Sequence, residues 1–448
     1  MDISGNKCYK NKSCEGYAGG TLMNTFLLAI KSVIYRRKQY FSLILVSFFG
    51  VGISLFISFL MKGMLDSLRY KAKIYYGGDL QLLGETAGLN QTKADDTIEK
   101  IRDIFPEDVI FAKRFDFDAD YAAFYFEGTG VRQRVIKGID FNVENELFEN
   151  LNFSSGGIEG MAGSNGVLLS EPIAKMLEVN VGDEITFMLR NINWALDTRT
   201  LVVKGIFKDS SVFGMYTSYM DFDYLTDAYA YPDNWCNRVC MFFPRKSPSQ
   251  KQIETYQREL EKRLNMFHLV EDKQLFYNQL ANLNHPAYAL IKLDANLEDV
   301  KIIIEAMKVI SVFVIFMLIA IIIIGISSTY RVIVMKRINE IGIFKALGFR
   351  RNRISLMLLL ETSMLVLSGC IGGLFFSLIL CYCTRFFNLS FIPAFDIFLS
   401  NGVLKPLISF GTFAGISFCV IVTTLVAVLF SIRKAVKMPP CVALAVTE

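Results

Sequence analysis

Residues 309–330 read VISVFVIFMLIAIIIIGISSTY, twenty-two positions between Lys308 and Arg331 without one charged side chain. About 20 helical residues cross the roughly 30 Å of hydrocarbon in a bilayer. Buried helices of soluble proteins seldom run so long without a charge, so the block reads as a transmembrane helix. Three more blocks share its character. Residues 41–61, FSLILVSFFGVGISLFISFLM, precede Lys62; residues 362–384 end at Arg385; residues 406–432 lie between Lys405 and Arg433. The first is longer than the apolar core of a signal peptide and no A-x-A-like site follows it, so it reads as an anchor.

Basic residues fix the expected orientation, because loops rich in Lys and Arg stay on the cytoplasmic side. Lys7, Lys10, Lys12, Lys31, Arg36, Arg37 and Lys38 precede the first span. Arg331, Lys336, Arg337, Lys345, Arg350, Arg351 and Arg353 lie between the second and third, and Arg433, Lys434 and Lys437 follow the fourth. The loop between the third and fourth holds only Arg385 and Lys405. Both termini are therefore expected in the cytoplasm, and the long segment after the first span outside.

The expected organisation follows. A polar tail (1–22) and an amphipathic elbow helix (23–40) lead to span one (41–61). A large outside domain (62–308) precedes span two (309–330). A cytoplasmic loop (331–354), span three (355–384), a short outer loop (385–405), span four (406–432) and a cytoplasmic tail (433–448) complete the chain. The regular pattern begins near Met23, which is a candidate start.

Residues 62–308 have ordinary globular composition. Met64, Leu65 and Leu68 continue the first span at helical spacing, and Leu297, Val300, Ile304 and Met307 lead into the second. Both stretches read as helical stalks. Between them, GGDLQLLGE (77–85), YAAFYFEG, VRQRVIKGID, VGDEITFML (181–189) and TLVVKGIF (200–207) read as strands. DDTIEKIRDIF (95–105) and QKQIETYQRELEKRL (251–264) read as helices, the latter through Ile253, Tyr256, Leu260 and Leu264. GVLLSEPIAKML (166–177) reads as strand then helix with Ser170 as N-cap. The fold class is thus an α-helical membrane protein with four transmembrane helices plus a large α+β extracytoplasmic domain, two lobes on helical stalks.

Composition excludes several functions. Lys and Arg number 47 against 43 Asp and Glu, a net charge of +4, well short of the basic excess of a nucleic-acid binder. Two histidines argue against a His-based metal or general-base site. Asp116, Asp118 and Asp120 alternate along a strand; without a Gly-bearing calcium loop they read as solvated charge rather than a calcium site. Cys370, Cys381, Cys383 and Cys419 fall in apolar blocks, and Cys8, Cys14 and Cys441 in the tails, which leaves Cys236 and Cys240. They read as free thiols; a local bridge between them would need helical or turn geometry. No G-x-S-x-G is present, nor any G-x-x-x-x-G-K-[ST] to cradle nucleotide phosphates. No catalytic residue and no metal ligand is assigned.

Small residues at helical spacing suggest close helix packing: Gly369 with Gly373, Gly411 with Gly415, and a ladder of Gly50, Ser54 and Ser58. Glu361, at the head of the third apolar block, reads as an interfacial carboxylate reaching water or Arg353, with a role in helix coupling as the alternative.

The loop YRVIVMKRINEIGIFKALGFRRNRI (330–354) is the most specific segment. Ile338, Ile341, Phe344 and Leu347 form an apolar arc, Arg337, Glu340 and Lys345 a polar side, and Gly348 a C-cap. Such a helix either lies on anionic headgroups or docks into a groove of a partner.

Arg337-Ile-Asn-Glu340-Ile341-Gly342-Ile343-Phe-Lys345-Ala346-Leu347-Gly348 resembles the E-R-x-x-E-I-G-I-L-K-A-L-G segment of FtsX-like ABC permeases. Lys336 stands where that family often has Glu, and Phe344 where it often has Leu. Glu361 matches an acidic residue of the family at the start of span three. Ala435 to Leu444, through Pro440 and Ala443, resembles its closing proline-x-x-A-L pattern, and Ala29 to Arg37 an amphipathic opening. GVLLSEPIAKMLEVNVGDEITF (166–187) followed by LVVKGIF resembles the MacB-type periplasmic core domain. The architecture is similar to the lipoprotein-releasing type.

The resemblance implies a non-catalytic permease subunit in the inner membrane. Residues Arg337, Ile338, Glu340, Ile341, Gly342, Phe344, Lys345, Leu347 and Gly348 would form a coupling helix in the groove of an ABC ATP-binding subunit. That partner would bind ATP and magnesium; this chain would bind no cofactor. A second permease subunit, identical or paralogous, membrane lipid, and a lipoprotein cargo or carrier are the other implied partners. Lipoprotein release or export of an amphipathic compound is the expected function, with control of a cell-wall hydrolase as the alternative.

Overall fold

A computed structural model describes residues 35, 37–84, 92–118, 121–149, 151–209, 213–270, 287–389, 392, 395–400 and 402–437. The polar tail 1–22, most of the elbow helix 23–40 and the closing Pro440–Leu444 pattern lie outside them. The chain divides into two compact units, one comprising 1–62, 307–384 and 406–448, the other 63–306 and 385–405.

The first unit is built from helices. Among the described residues four are long and apolar enough to cross a membrane. They belong to helices Arg37–Tyr76, Glu298–Lys336, Arg351–Cys383 and Phe410–Lys437. Their core joins Leu43, Val51 and Leu55 of the first helix, Ile322 and Ile326 of the second, Leu365 and Cys370 of the third, and Val420 and Val428 of the fourth. On the fourth helix the buried positions Ser417, Val420, Thr424, Val428 and Ile432 recur at helical spacing.

Small residues bring the first and third helices together. A Cβ on Gly373 would lie 2.9 Å from both Phe48 O and Gly52 N, and one on Gly369 would collide with Ser47. Backbone approach of this kind is what glycine permits between helices in lipid. Gly50 of the small-residue ladder instead packs under Ile322. Gly411 and Gly415 depart from the expectation. Among the described residues nothing lies within 4 Å of a Cβ on Gly415, and only Ser409 Oγ, at 3.9 Å, lies near one on Gly411. Both sit on the exposed face of the fourth helix with Phe410 and Phe418, opposite its buried stripe.

The second unit holds a mixed sheet of twelve strands among the described residues. From one edge its order is Ala289–Lys292, Leu80–Leu83, Arg238–Phe242, Ile110–Asp118, Val135–Ile139, Thr217–Asp221, Gly166–Ser170, Leu196–Phe207, Glu184–Arg190, Ala123–Phe126 and Thr129–Arg132; Phe153–Gly156 branches off Leu196–Phe207. Two pairings are parallel, Val135–Ile139 with Thr217–Asp221 and Gly166–Ser170 with Leu196–Phe207. Two of the apolar cores on the sheet are closed by helices. Helix Glu171–Leu177 closes one through Ile173, Ala174 and Leu177 against Phe124, Phe187 and Leu201. Helices Ala94–Ile101 and Gln250–Glu261 close the other through Ile101, Ile253 and Leu260 against Leu82, Val239 and Met241.

Three local readings change. Ser170 precedes its helix, but its hydroxyl donates to Met215 O at 2.7 Å rather than capping. Asp116 is not solvated, because Lys137 stands directly across the ladder from it. The Lys137 ammonium donates to Asp116 Oδ2 at 2.8 Å, and Arg238 Nε lies 3.2 Å from the same oxygen. The side chain of Asp118 and the whole of Asp120 fall outside the described residues. Cys236 and Cys240 are free and buried, and burial pushes the Cys240 thiol up to about 12, which leaves it unreactive.

The same buried layer stops the helix Arg37–Tyr76. Gly77 and Gly78 take φ of +92° and +84°, where a side chain would be strained. Arg114, wholly buried, donates to Ile74 O at 2.5 Å and pairs with Glu144. Gln81 donates to Tyr76 O and accepts from Asn296 at 3.2 Å and Arg238 at 3.1 Å. The last carbonyls of one helix and the residues just before Glu298–Lys336 are thereby tied to one strand.

Burial opposes ionisation of Asp116, but Lys137 and Arg238 outweigh it and hold its carboxyl below the ordinary 3.8. Burial lowers the Lys137 ammonium to about 8. A carboxylate held low in the folded state contributes stability above its ordinary value and loses it as pH falls below. Asp116→Asn should therefore melt well below the parent at neutral pH, with the gap narrowing below about pH 4 in detergent melts. A gap that stays constant with pH would remove this role. In the helical unit, Gly373→Leu should cost about 1–3 kcal/mol by overpacking, while Gly415→Leu leaves the melting temperature unchanged.

Candidate functional site

Helix Glu298–Lys336 runs past its apolar block, and Arg337, at φ −102° and ψ 11°, breaks it from the short helix Ile338–Ala346. The short helix closes where Leu347 N donates to Ile343 O at 3.0 Å and Gly348 N to Lys345 O at 3.0 Å. Gly348 has φ of +85°, as a C-terminal glycine should. Arg350 is extended, and the next helix begins at Arg351. The segment between spans two and three is thus largely helix.

Two faces of the short helix differ, though not as the apolar arc suggested. Ile338, Ile341 and Gly342 are buried, with Ile341 in the bundle core. Phe344 is half-buried against Phe349, ring centroids 5.5 Å apart. Leu347, expected on the same arc, is 70% exposed, and Ile343 is 50% exposed. The arc splits because each three-residue step falls about 60° short of a full turn, so three steps carry Leu347 to the side opposite Ile338. Anchoring Ile338 and Ile341 swings Leu347 and Ile343 outward.

Arg337 departs furthest from its expected place on a polar side. It is 3% exposed, and its NH1 donates to Glu361 Oε2 at 2.6 Å and to Tyr40 Oη at 2.9 Å. Its Nε donates to Glu340 Oε2 at 3.2 Å. Glu361 is likewise neither interfacial nor paired with Arg353. It is fully buried and accepts from Tyr40 Oη at 2.7 Å through Oε1. An isolated charge inside an apolar bundle carries a large desolvation cost, so it recruits an opposite charge and fills its remaining lone pairs. Tyr330 Oη adds a donor to Leu358 O at 3.0 Å, one turn before Glu361.

Tyr40 was not singled out from the sequence. The signal was Glu361 itself, a carboxylate in an apolar helix that requires partners. Arg337 was assigned to the right segment and the wrong face. Glu340 and Lys345 are half-buried. Burial, then the positive charge of Arg351, holds the Lys345 ammonium below its ordinary value. Among the described residues no group of three or more His, Cys, Asp and Glu is placed to hold a metal.

Removing one partner of a buried pair strands the other. Glu361→Leu should lower stability by about 3–5 kcal/mol, and Arg337→Met with Glu361→Leu should recover much of it. Tyr40→Phe, which loses one hydroxyl, should cost about 1 kcal/mol. Thermal unfolding of the purified chain in detergent measures all three. A double variant no better than Glu361→Leu would refute the pairing account.

Residues 312–440 match the family described as FtsX-like permease C-terminal. Among solved structures, the periplasmic region of MacB from Actinobacillus actinomycetemcomitans aligns at 11% identity and a TM-score of 0.30, over 50% of this chain and 94% of that one. No curated protein matches the chain. The matched C-terminal region, which takes in three of the four long apolar helices and the short helix between the second and third, is that of an FtsX-like permease.

Proposed function

We propose that this chain is the membrane subunit through which a separate ATP-binding subunit drives an extracytoplasmic conformational change, in the service of lipoprotein release or export of an amphipathic compound. The observation that carries the reading is the short helix Ile338–Ala346. It is pinned on one side by Ile341 and by Arg337, and it presents Ile343 and Leu347 outward. Apolar residues held outward on a rigid anchor suit docking into a partner's groove.

The distribution of basic residues supports a topology with this helix, both termini and the closing tail in the cytoplasm and 62–308 outside. The chain carries no G-x-x-x-x-G-K-[ST], so ATP and magnesium belong to the partner. A second permease subunit, the same or a paralogue, would complete the pair of docking helices. Closure of the ATPase pair would push on Ile343 and Leu347. Arg337 would pass that push to Glu361 on span three and Tyr40 on span one. The two long helices would then act as stalks for the outside domain. The size of that domain favours cargo handling over hydrolase control.

The test is co-purification from detergent with the ATP-binding protein encoded beside this chain. Ile343→Glu with Leu347→Glu changes only exposed positions. It should abolish capture of the ATPase, at least tenfold, while membrane insertion and melting temperature stay at parental values. Gly342→Arg is the wrong probe, because Gly342 is buried and the variant would damage the anchor. Equal capture by parent and double variant would make the helix a membrane-surface element.

A further inference from the structure

The first turns of helix Arg351–Cys383 lie beside the last turns of helix Phe410–Lys437, leaving a groove of about 360 Å³ between them. Its chemistry is graded. Leu356 and Leu359 on one side and Leu429 on the other form an apolar floor. Arg351, Asn352 and Arg433 form the mouth, with Ser355 between. The grading follows from spacing. Arg351, Ser355 and Leu359 succeed one another at four-residue steps, so the third helix runs from charge to hydrocarbon along one face; on the fourth, Leu429 lies one turn before Arg433, and Val436 lines the groove beyond it. The helices enter the groove from opposite chain directions, so both arginines fall at the same end.

Both guanidiniums are exposed, and among the described residues neither has a carboxylate partner. Arg433 lies over the Phe430 ring at 5.6 Å. Between Glu361 and the closing Glu448 the only acidic residue is Asp396, in the loop 385–405, and Glu361 is engaged by Arg337. Arg433 is also the first residue after the charge-free block 406–432, the level at which hydrocarbon gives way to headgroups.

We propose that this groove binds one anionic phospholipid, its phosphate between Arg351 and Arg433 and an acyl chain on Leu356, Leu359 and Leu429. A bidentate cation suits a phosphate, and basic pockets between spans at the cytoplasmic face select anionic headgroups. An acidic protein segment would satisfy the arginines but leave the floor uncovered. The lipid fills both. It would brace the start of span three against the end of span four, three turns from Glu361.

Native mass spectrometry of the full chain, equilibrated in mixed micelles with palmitoyl-oleoyl phosphatidylglycerol or phosphatidylcholine, tests this. The parent should hold one phosphatidylglycerol roughly tenfold more tightly than phosphatidylcholine. Arg351→Ala with Arg433→Ala should erase that preference, and the single Arg→Gln variants should each reduce it. Leu359→Trp, which fills the floor and leaves both charges, should weaken both lipids, and millimolar inorganic phosphate should not displace the bound lipid. An undiminished preference in the double variant overturns the proposal. Displacement by free phosphate does so too, by reducing the groove to an anion site. A double variant that keeps its lipid but fails to capture the ATP-binding protein would reassign the groove to protein docking, and the Ile343→Glu/Leu347→Glu result distinguishes that outcome from failure of the transport reading.

Discussion

A carboxylate buried among apolar helices cannot stand alone, and Glu361 makes the surrounding chain answer to that constraint. Its charge requires a cation, and the one that arrives is Arg337, from the break between two helices. Its second oxygen requires a donor, supplied by Tyr40 at the start of the first span. Three segments far apart in sequence are therefore fixed to one point. The desolvation cost that an unpaired Glu361 would carry is offset only where the guanidinium meets the carboxylate.

The second unit solves a similar problem with different parts. Arg114 and Lys137 are buried, and Asp116 and Arg238 half-buried, on neighbouring strands, and buried Glu144 comes from the helix Phe141–Glu149. Asp116 and Lys137 meet because they are cross-strand partners, the geometry in which opposite charges help a sheet. What Arg114 gains beyond Glu144 is the carbonyl of Ile74, an acceptor that the end of a helix leaves unsatisfied. In both units an arginine joins a helix terminus to a buried carboxylate. An apolar contact tolerates sliding, whereas a forked, multiply bonded guanidinium fixes orientation as well as distance.

Much of this was legible in the sequence, for reasons that also mark where legibility stopped. Four charge-free blocks announce spans because each is a local property of contiguous residues. Strands such as Glu184–Arg190 and helices such as Gln250–Glu261 show their own period. Pairing is not local. Nothing in the neighbourhood of Asp116 says that Lys137 lies opposite, so alternation along the strand read as solvated charge. Gly369 and Gly411 carry the same G-x-x-x-G spacing, yet among the described residues only the first faces a neighbouring helix. Spacing gives a face; which face is turned inward depends on the partner. For the same reason Arg337 was read by the company it keeps in sequence, Glu340 and Lys345, rather than by Glu361, twenty-four positions away.

The short helix shows how these limits shape function. Nine residues cannot hold a helix in water, since nucleation outweighs so few hydrogen bonds. Its order must come from what it is fastened to, and the fastening consumes Ile338, Ile341 and Arg337. Every residue on the opposite side is then committed to point away, whatever its chemistry. Polar residues there would cost nothing. The chain instead places Ile343, Ala346 and Leu347 outward, beside Gly348, where no side chain obstructs approach. Exposed apolar groups on an anchored helix have no stabilising role within the chain itself, so their free-energy return must come from whatever covers them.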